Sequence, residues 1–315
     1  TKNGTNSIRR VNVNAPPFAI DDLKKINEAG IGTYQVFQET YHKKTYARMH
    51  PANTIKGNYN WRLYCMHRAM EAGIDDVGIG ALFGLYDWRF ELMALVHHTQ
   101  ELEKRLGIGA HTVSFPRLQP ALNSVITPDW PYLVSDEDFK KIMMIIRLAV
   151  PYTGMIVTAR EKAEIRNEAV RMGVTQMDAS SRIAIGGYSD AVTAQKENKQ
   201  QFILGDTRSL DELIRDLAAM GHITSFCTAG YRCGRTGKCI MDLLRSGAEG
   251  KFCKLNAVLT FQEWLDDFAS DDTRRLSQPL VEREIADIKR RNPQALDIFM
   301  NYYERVKKGE RDLYL

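Results

Sequence analysis

The stretch that decides the fold is Asp75–Gly107, DDVGIGALFGLYDWRFELMALVHHTQELEKRLG, followed by Ala110–Leu118, AHTVSFPRL. A short apolar run rich in Val, Ile and Gly leads through a loop into an amphipathic helical stretch that stops at glycine, and a second apolar run follows. The same unit recurs outward in both directions. RRVNVNAP (9–16) leads to AIDDLKKINEAG (19–30), and IGTYQVFQETY (31–41) leads to NWRLYCMHRAMEAG (60–73). Downstream, SDEDFKKIMMIIRLAVP (135–151) follows the AHTVSFPRL run, with Ser135 placed to cap it. GMIVTA (154–159) precedes EKAEIRNEAVRMG (161–173), and TQMDASSRIAIGGY (175–188) closes the series. Gly30, Gly73 and Gly173 stand where left-handed helix caps are expected. This alternation predicts about six parallel strands with five helical crossovers. Two architectures satisfy it: an open doubly wound sheet, or a TIM-type barrel lacking its first quarter.

The C-terminal third reads differently, so a boundary is expected at 200/201: residues 1–200 form the (βα) unit and 201–315 a mostly helical, cysteine-containing region. DTRSLDELIRDLAAMGHIT (206–224) is an amphipathic helix capped near Asp206 or Thr207, and TFQEWLDDFAS (260–270) carries a capping-box pattern, Thr260 with Glu263. From Pro279 to Leu315 a charged helical run places Ile285, Ile288, Leu296, Phe299, Tyr302 and Val306 near one face.

Composition narrows the function classes. A net charge of +4 is too small and too dispersed for a nucleic-acid binder. No run of about 18 apolar residues predicts a membrane span, and the first residues lack the apolar segment of a signal peptide. Five cysteines, an odd and clustered set, fit a reducing compartment, so a cytoplasmic protein is expected. Cys65, among apolar neighbours, reads as a core thiol. Four cysteines lie close together in FCTAGYRCGRTGKC (226–239) and FCKLNAV (252–258), spaced C-x5-C-x5-C-x13-C. That spacing matches neither a structural zinc knuckle nor a ferredoxin, so zinc, iron–sulfur and accidental clustering all stay open. The interleaved Arg232, Arg235 and Lys238 would lower thiol pKa values. GRTGK lacks the glycine and hydroxyl residue of a phosphate loop.

In a parallel barrel the reactive groups gather at the carboxyl ends of the strands. Those positions hold Asn12, Asn14, Gln38, Glu39, Ser114, Arg117, Asp178, Ser180, Ser181 and Arg182, with Gly78 and Gly80 leaving room for a ligand's close approach. Arg117 and Arg182 suit bidentate recognition of a carboxylate or phosphate, or surface salt bridges. His111, at the start of a strand, is either structural or a ligand.

GIGTYQVFQETYH (30–42), AMEAGIDDVGIGALFGLYDWRFE (69–91), AHTVSFPRLQPAL (110–122), FKKIMMIIRLAVPYTGMIVTARE (139–161) and the cysteine segment closely resemble the HydG family, the radical-SAM tyrosine lyases that mature FeFe-hydrogenases. The thiamine-pathway tyrosine lyase is similar more distantly and lacks the cysteine segment. The resemblance implies an α/β fold, a partial TIM-type barrel of about strands 3–8 with a C-terminal helical region. It implies a lyase in which a 4Fe–4S cluster and S-adenosylmethionine generate a 5′-deoxyadenosyl radical that cleaves tyrosine to p-cresol and dehydroglycine. A second, C-terminal 4Fe–4S cluster then converts dehydroglycine to CO and cyanide for hydrogenase maturation proteins. By resemblance Gln38, Glu39, Arg117, Ser180, Ser181 and Arg182 line the S-adenosylmethionine and tyrosine site. Cys227, Cys233, Cys239 and Cys253 serve the C-terminal metal, with His111 beside it.

The sequence departs from the family pattern twice. The C-x3-C-x2-C triad of the first cluster is absent, so that cluster is expected on a missing N-terminal part, and this chain alone is expected to be inactive. The second departure is that the C-terminal pattern C-x2-C-x22-C has Gly230 at its middle position, leaving Cys233 or Cys239 as replacement. An open barrel edge beside RRVNVNAP is expected to need a covering N-terminal half or a dimer partner. The rival reading is a non-catalytic zinc- or iron–sulfur-binding module that docks to a barrel half.

Overall fold

The computed structural model describes residues 11–119, 121, 129–184, 186–188, 195, 200–226, 229–248 and 250–315. They fall into two compact units, Asn12–Thr207 and Arg208–Leu315. The first unit runs β1 (Val13–Asn14), α1 (Ile20–Glu28), β2 (Tyr34–Gln35), α2 (Lys43–Met49), α3 (Tyr59–Leu63), α4 (Cys65–Glu71), β3 (Val77–Gly80), α5 (Trp88–Leu106), β4 (Thr112–Ser114), α6 (Asp136–Ala149), β5 (Gly154–Val157), α7 (Ala163–Arg171) and β6 (Gln176–Met177). All strand pairs are parallel, and the strands lie side by side in chain order, β1 to β6.

That order separates the two architectures the sequence leaves open. A doubly wound sheet reverses its strand order at a switch point and so receives helices on both faces. Unreversed order with crossovers of one hand sends every helix to the same face and curls the sheet, giving a partial barrel. Packing agrees: Tyr34, Val36, Val77, Ile79, Val113, Phe115, Met155 and Val157 share one core with Leu23, Met66, Leu95, Phe139, Ile142 and Ile165 from the helices. Cys65 belongs to this core and is fully buried, as its apolar neighbours suggest.

Local chemistry sets the helix ends. Asp87 accepts from the amides of Arg89 and Phe90 to start α5, and Gly107 ends it at φ 83°. Ser135 caps α6 through the Asp138 amide, with three carboxylates in the first turn. Gly30, Gly73 and Gly173 take φ 75°, 94° and 89°, as expected of glycine caps.

The second unit is helical: α8 (Leu210–Ala219), α9 (Ala229–Arg232), α10 (Gly237–Ser246), α11 (Gly250–Asp267), α12 (Asp271–Arg291) and α13 (Leu296–Lys307). Its core joins Ile214, Val258, Phe261, Leu265, Val281, Ile288, Phe299 and Val306. Two sequence expectations change here. The cap of α8 is Ser209, in a reciprocal box with Glu212, three or two residues beyond the expected positions. Thr260 starts nothing: it lies inside α11, where its hydroxyl donates to the Asn256 carbonyl at 2.8 Å. The buried run Leu255, Val258, Leu259 and Phe261 carries the helix through that position, so tertiary packing overrides the capping pattern. Among the described residues no helix is long and apolar enough to cross a membrane.

The most deeply buried cation of the first unit is Arg166, on α7 and 1% exposed. It pairs with Asp206 and with the carbonyl and carboxylate of Asp178, joining the ends of this unit's chain to the loop after β6. Replacing it by methionine removes the shared cation from two carboxylates, Asp178 and the buried Asp206. Arg166→Met is expected to cost about 3–5 kcal/mol in urea unfolding followed by near-UV circular dichroism.

Candidate functional site

Along the strands, residues alternate between the helix-covered face and the concave face. The concave row Gln35, Gly78, Thr112, Gly154 is in register, and Gly80, Ser114, Ile156, Gln176 follow in the next. The glycines of β3 are required by their neighbours. A Cβ on Gly78 would lie 2.7 Å from Thr112 Oγ1 and 2.8 Å from Gln35 Cγ, and one on Gly80 would lie 2.8 Å from Phe37 Cδ1. The space expected to admit a ligand at Gly78 and Gly80 is thus taken by the chain's own side chains. Thr112 Oγ1 and Ser114 Oγ are buried without hydrogen-bond partners, as are both amide atoms of Gln38. Unmet buried polar atoms of this kind are costly, about 1–3 kcal/mol each, and a polar ligand regains that energy.

Of the sequence-predicted residues, Gln38 is 2% exposed at the carboxyl end of β2. Glu39 follows it at φ 69°, and its carboxylate meets His50 Nε2 at 3.1 Å, Lys56 Nζ at 3.0 Å and Arg62 Nη2 at 3.0 Å. Burial pushes its pKa up, but these three partners outweigh that and bring it down to about 2. Glu39 therefore anchors the loop after β2. Arg117 does recognise a carboxylate, but one of its own chain. Its Nε lies 3.0 and 3.1 Å from the buried Glu161 carboxylate, Nη1 lies 2.8 Å from Asp136, and Phe139 stacks beneath it at 4.5 Å. Ser181 donates to Asp178, whose other oxygen accepts the Ala159 amide at 2.8 Å. Ser180 is exposed in the left-handed region at φ 56°, and Arg182 is exposed, its amide bonded to the Tyr188 hydroxyl at 3.3 Å. Gln38, Arg117 and the 180–182 turn therefore share the carboxyl end of the sheet, but Glu39 and Arg117 are already saturated.

Arg160 is the residue that sequence reasoning missed. It lies three residues past the end of β5, at the same end of the sheet. No hydrogen bond or ion pair joins its guanidinium to any described residue, which stacks 3.5 Å from the Phe202 ring centroid. Burial lowers its pKa to about 10, with Glu161 opposing. A half-buried, unpaired guanidinium at a barrel's carboxyl end is suited to bind a carboxylate bidentately. The signal was its place after GMIVTA, indistinguishable in sequence from the consumed Arg117.

His111 stands at the opposite end of the strands. Its amide donates to the Val77 carbonyl at 2.9 Å, before β4 begins, and its side chain is buried. A metal role for His111 and ligand roles for Gln38 and Arg160 thus fall at opposite ends of the sheet. In the helical unit, Cys227 lies outside the described residues. Cys233, Cys239 and Cys253 are exposed and in no disulfide. Among the described residues no three His, Cys, Asp or Glu side chains are gathered for a metal. The cations expected to activate these thiols are engaged: Arg232 with Asp312, Lys238 with Asp242 at 2.8 Å, and Arg235 with the Leu315 carbonyl at 2.7 Å.

Comparison with solved structures matches this arrangement to a crystal structure of HydG, a maturase of the [FeFe]-hydrogenase, with TM-score 0.91 and 45% identity over 99% of this chain. The chain belongs to the HydG-type family. The X-ray structure of the FeFe-hydrogenase maturase HydG from Carboxydothermus hydrogenoformans superposes with TM-score 0.77 at 38% identity over 96% of the chain. Methylornithine synthase, at 15% identity and TM-score 0.50, shares the fold. Residues 114–223 match the Biotin and Thiamin Synthesis associated domain. The 2-iminoacetate synthases of Escherichia coli and Salmonella typhimurium are 30% and 31% identical over 65% of this chain. The chain spans 52% of the length of these two synthases, and 66% and 62% of the two HydG chains.

Because the folded pKa of Glu39 lies below its unfolded value, its stabilisation is complete above about pH 5 and disappears as pH falls toward 2. The shift corresponds to about 3 kcal/mol at neutral pH. Glu39→Gln is expected to flatten the fall in urea-unfolding stability between pH 5 and pH 2.5. An unchanged slope would show that Glu39 is not held by His50, Lys56 and Arg62.

Proposed function

We propose that this chain is the larger part of a cytoplasmic radical S-adenosylmethionine tyrosine lyase that cleaves tyrosine to p-cresol and dehydroglycine, the latter then being converted to CO and cyanide for hydrogenase maturation proteins. The carrying observation is the likeness to HydG across 99% of the chain, with the matched 2-iminoacetate synthases in support. The site chemistry fits: among the described residues, a buried hydroxyl at Ser114 and the Gln38 amide lack partners, and the Arg160 guanidinium lies unpaired at the same end of the sheet, groups that suit a polar amino-acid ligand.

S-adenosylmethionine, with a 4Fe–4S cluster on a C-x3-C-x2-C motif that this sequence does not contain, supplies hydrogen abstraction when bound. The chain's own residues do the rest. Arg160 takes the tyrosine carboxylate and fixes the orientation of its α-carbon. Gln38 and Ser114 regain hydrogen bonds on the polar groups of substrate and adenosylmethionine. Glu39, Arg117 and Asp178 hold the strand-end loops that carry these groups, each through an ion pair or hydrogen bond already made. Together they exclude water from a site whose preorganised groups need no rearrangement on binding. The cysteine segment is assigned the later conversion of dehydroglycine.

Supplying the first two βα units of a HydG-type maturase in trans is expected to yield p-cresol from tyrosine, measured by liquid chromatography. One zinc and no iron per chain, with no adenosylmethionine binding, would favour a non-catalytic partner module instead. In the active assembly, Arg160→Ala is expected to raise KM for tyrosine about 10- to 100-fold, the loss of one bidentate charged contact. Arg160→Lys is expected to recover only part of it.

A further inference from the structure

One fully buried carboxylate takes no part in the ion pairs described above. Glu91, in the first turn of α5, is 0% exposed. One of its oxygens accepts from the Thr40 hydroxyl and the other from the Tyr41 amide, the latter at 2.8 Å. Its place at the start of a 19-residue helix favours the ionised form, because the free amides there carry partial positive charge. Two donors facing two oxygens call for a carboxylate. A glutamine would turn its own NH2 donor toward one of them.

Thr40 and Tyr41 follow directly on a strained turn. The Thr40 amide donates to the Gln38 carbonyl at 2.9 Å, and Glu39 between them stands at φ 69°, the rare form of the three-residue turn. A glutamate keeps such a conformation only where its surroundings hold it on both sides. On the strand side, the Gln38 amide donates to the Gly80 carbonyl at 2.9 Å and the Leu82 amide to the Glu39 carbonyl at 2.7 Å. On the other side Glu91 supplies the grip. It is joined by the Tyr59 hydroxyl on the Tyr41 carbonyl and by His98 Nδ1 against the Tyr41 hydroxyl, both at 2.8 Å. Thr40 and Tyr41 are buried, so water cannot replace these bonds. The Gln38 side chain, 2% exposed, has no protein partner for either amide atom. Its place at the carboxyl end of the sheet is therefore set by the backbone of the turn.

We propose that Glu91 is a positioning residue: by holding Thr40 and Tyr41 it keeps the strained turn that sets the Gln38 amide at the carboxyl end of the sheet. The use of Gln38 on substrate or adenosylmethionine rests on the proposed function; the hold of Glu91 on the turn does not.

Two measurements test it. The first is amide hydrogen exchange of the whole chain, followed by mass spectrometry of the fragment containing residues 38–42. Glu91→Gln is expected to speed exchange there about tenfold, the loss of one buried hydrogen bond, with β4 to β6 unchanged. Unchanged exchange in this fragment overturns the proposal. Where Glu91→Gln loosens the whole unit, Thr40→Val, which removes one donor and keeps the carboxylate, carries the same test. The second measurement is a double-mutant cycle on p-cresol formation in the active assembly. Gln38→Ala and Glu91→Gln are each expected to lower kcat/KM about 10-fold, and the double variant no more than about 20-fold, because the second change removes nothing that the first left working. Losses that multiply to about 100-fold overturn the assignment, as does undiminished kcat/KM in Glu91→Gln. An assembly that makes no p-cresol overturns the proposed function, and faster exchange confined to residues 38–42 still upholds the hold of Glu91 on the turn.

Discussion

Helices α1, α4, α5, α6 and α7 of the (βα) unit share one core with six parallel strands laid down in chain order. This one-sided burial governs the molecule. It places most of the branched and aromatic strand residues against the helices and leaves the other face mainly to small and polar ones, interspersed with Ile156 and Phe37. That face is so narrow that Gly78 and Gly80 are the only residues their positions can hold without displacing Gln35, Phe37 or Thr112. The carboxyl ends of the strands then become the place where polar groups can gather, and ion pairs fasten the loops there. Arg117 with Glu161 and Arg166 with Asp206 both tie down segments that leave the sheet.

These pairs redefine which charges are available for chemistry. Arg117, Arg160 and Arg182 all follow strands, and residue type cannot rank them. The fold does: Glu161 and Asp136 consume Arg117, the aromatic face of Phe202 supports Arg160 without neutralising it, and Arg182 projects into solvent. Glu39 illustrates the same distinction. A carboxylate at a strand end suggests ligand binding, yet its pKa of about 2 reports a histidine hydrogen bond and two cations, Arg62 and Lys56, already in place. A buried side chain without a partner, such as Ser114 or Gln38, marks the site better than a charged one that is fully paired.

The helical unit shows how far local patterns carry. The apolar residues between Ile285 and Val306 were legible as a packing face, and Ile288, Phe299 and Val306 are indeed in the core. The Thr260 and Glu263 pattern was misleading, since a capping box and a mid-helix threonine look alike until the surrounding burial is known. The three cations threaded through the cysteine segment suggested activated thiols. Asp242, Asp312 and the Leu315 carbonyl, as many as 80 residues away in sequence, occupy them instead.

By itself the sequence determined the alternation of strands and helices, the glycine stops, the buried Cys65 and the family resemblance. Each of these depends on neighbours a few residues apart or on long stretches of identity. The alternation alone left a doubly wound sheet and a barrel both open; the resemblance implied the partial barrel, and the strand order establishes it, because that order is a relation between distant segments. Only the tertiary structure distinguished Arg160 from Arg117. A guanidinium's availability depends on which carboxylate reaches it, and that is not written in spacing.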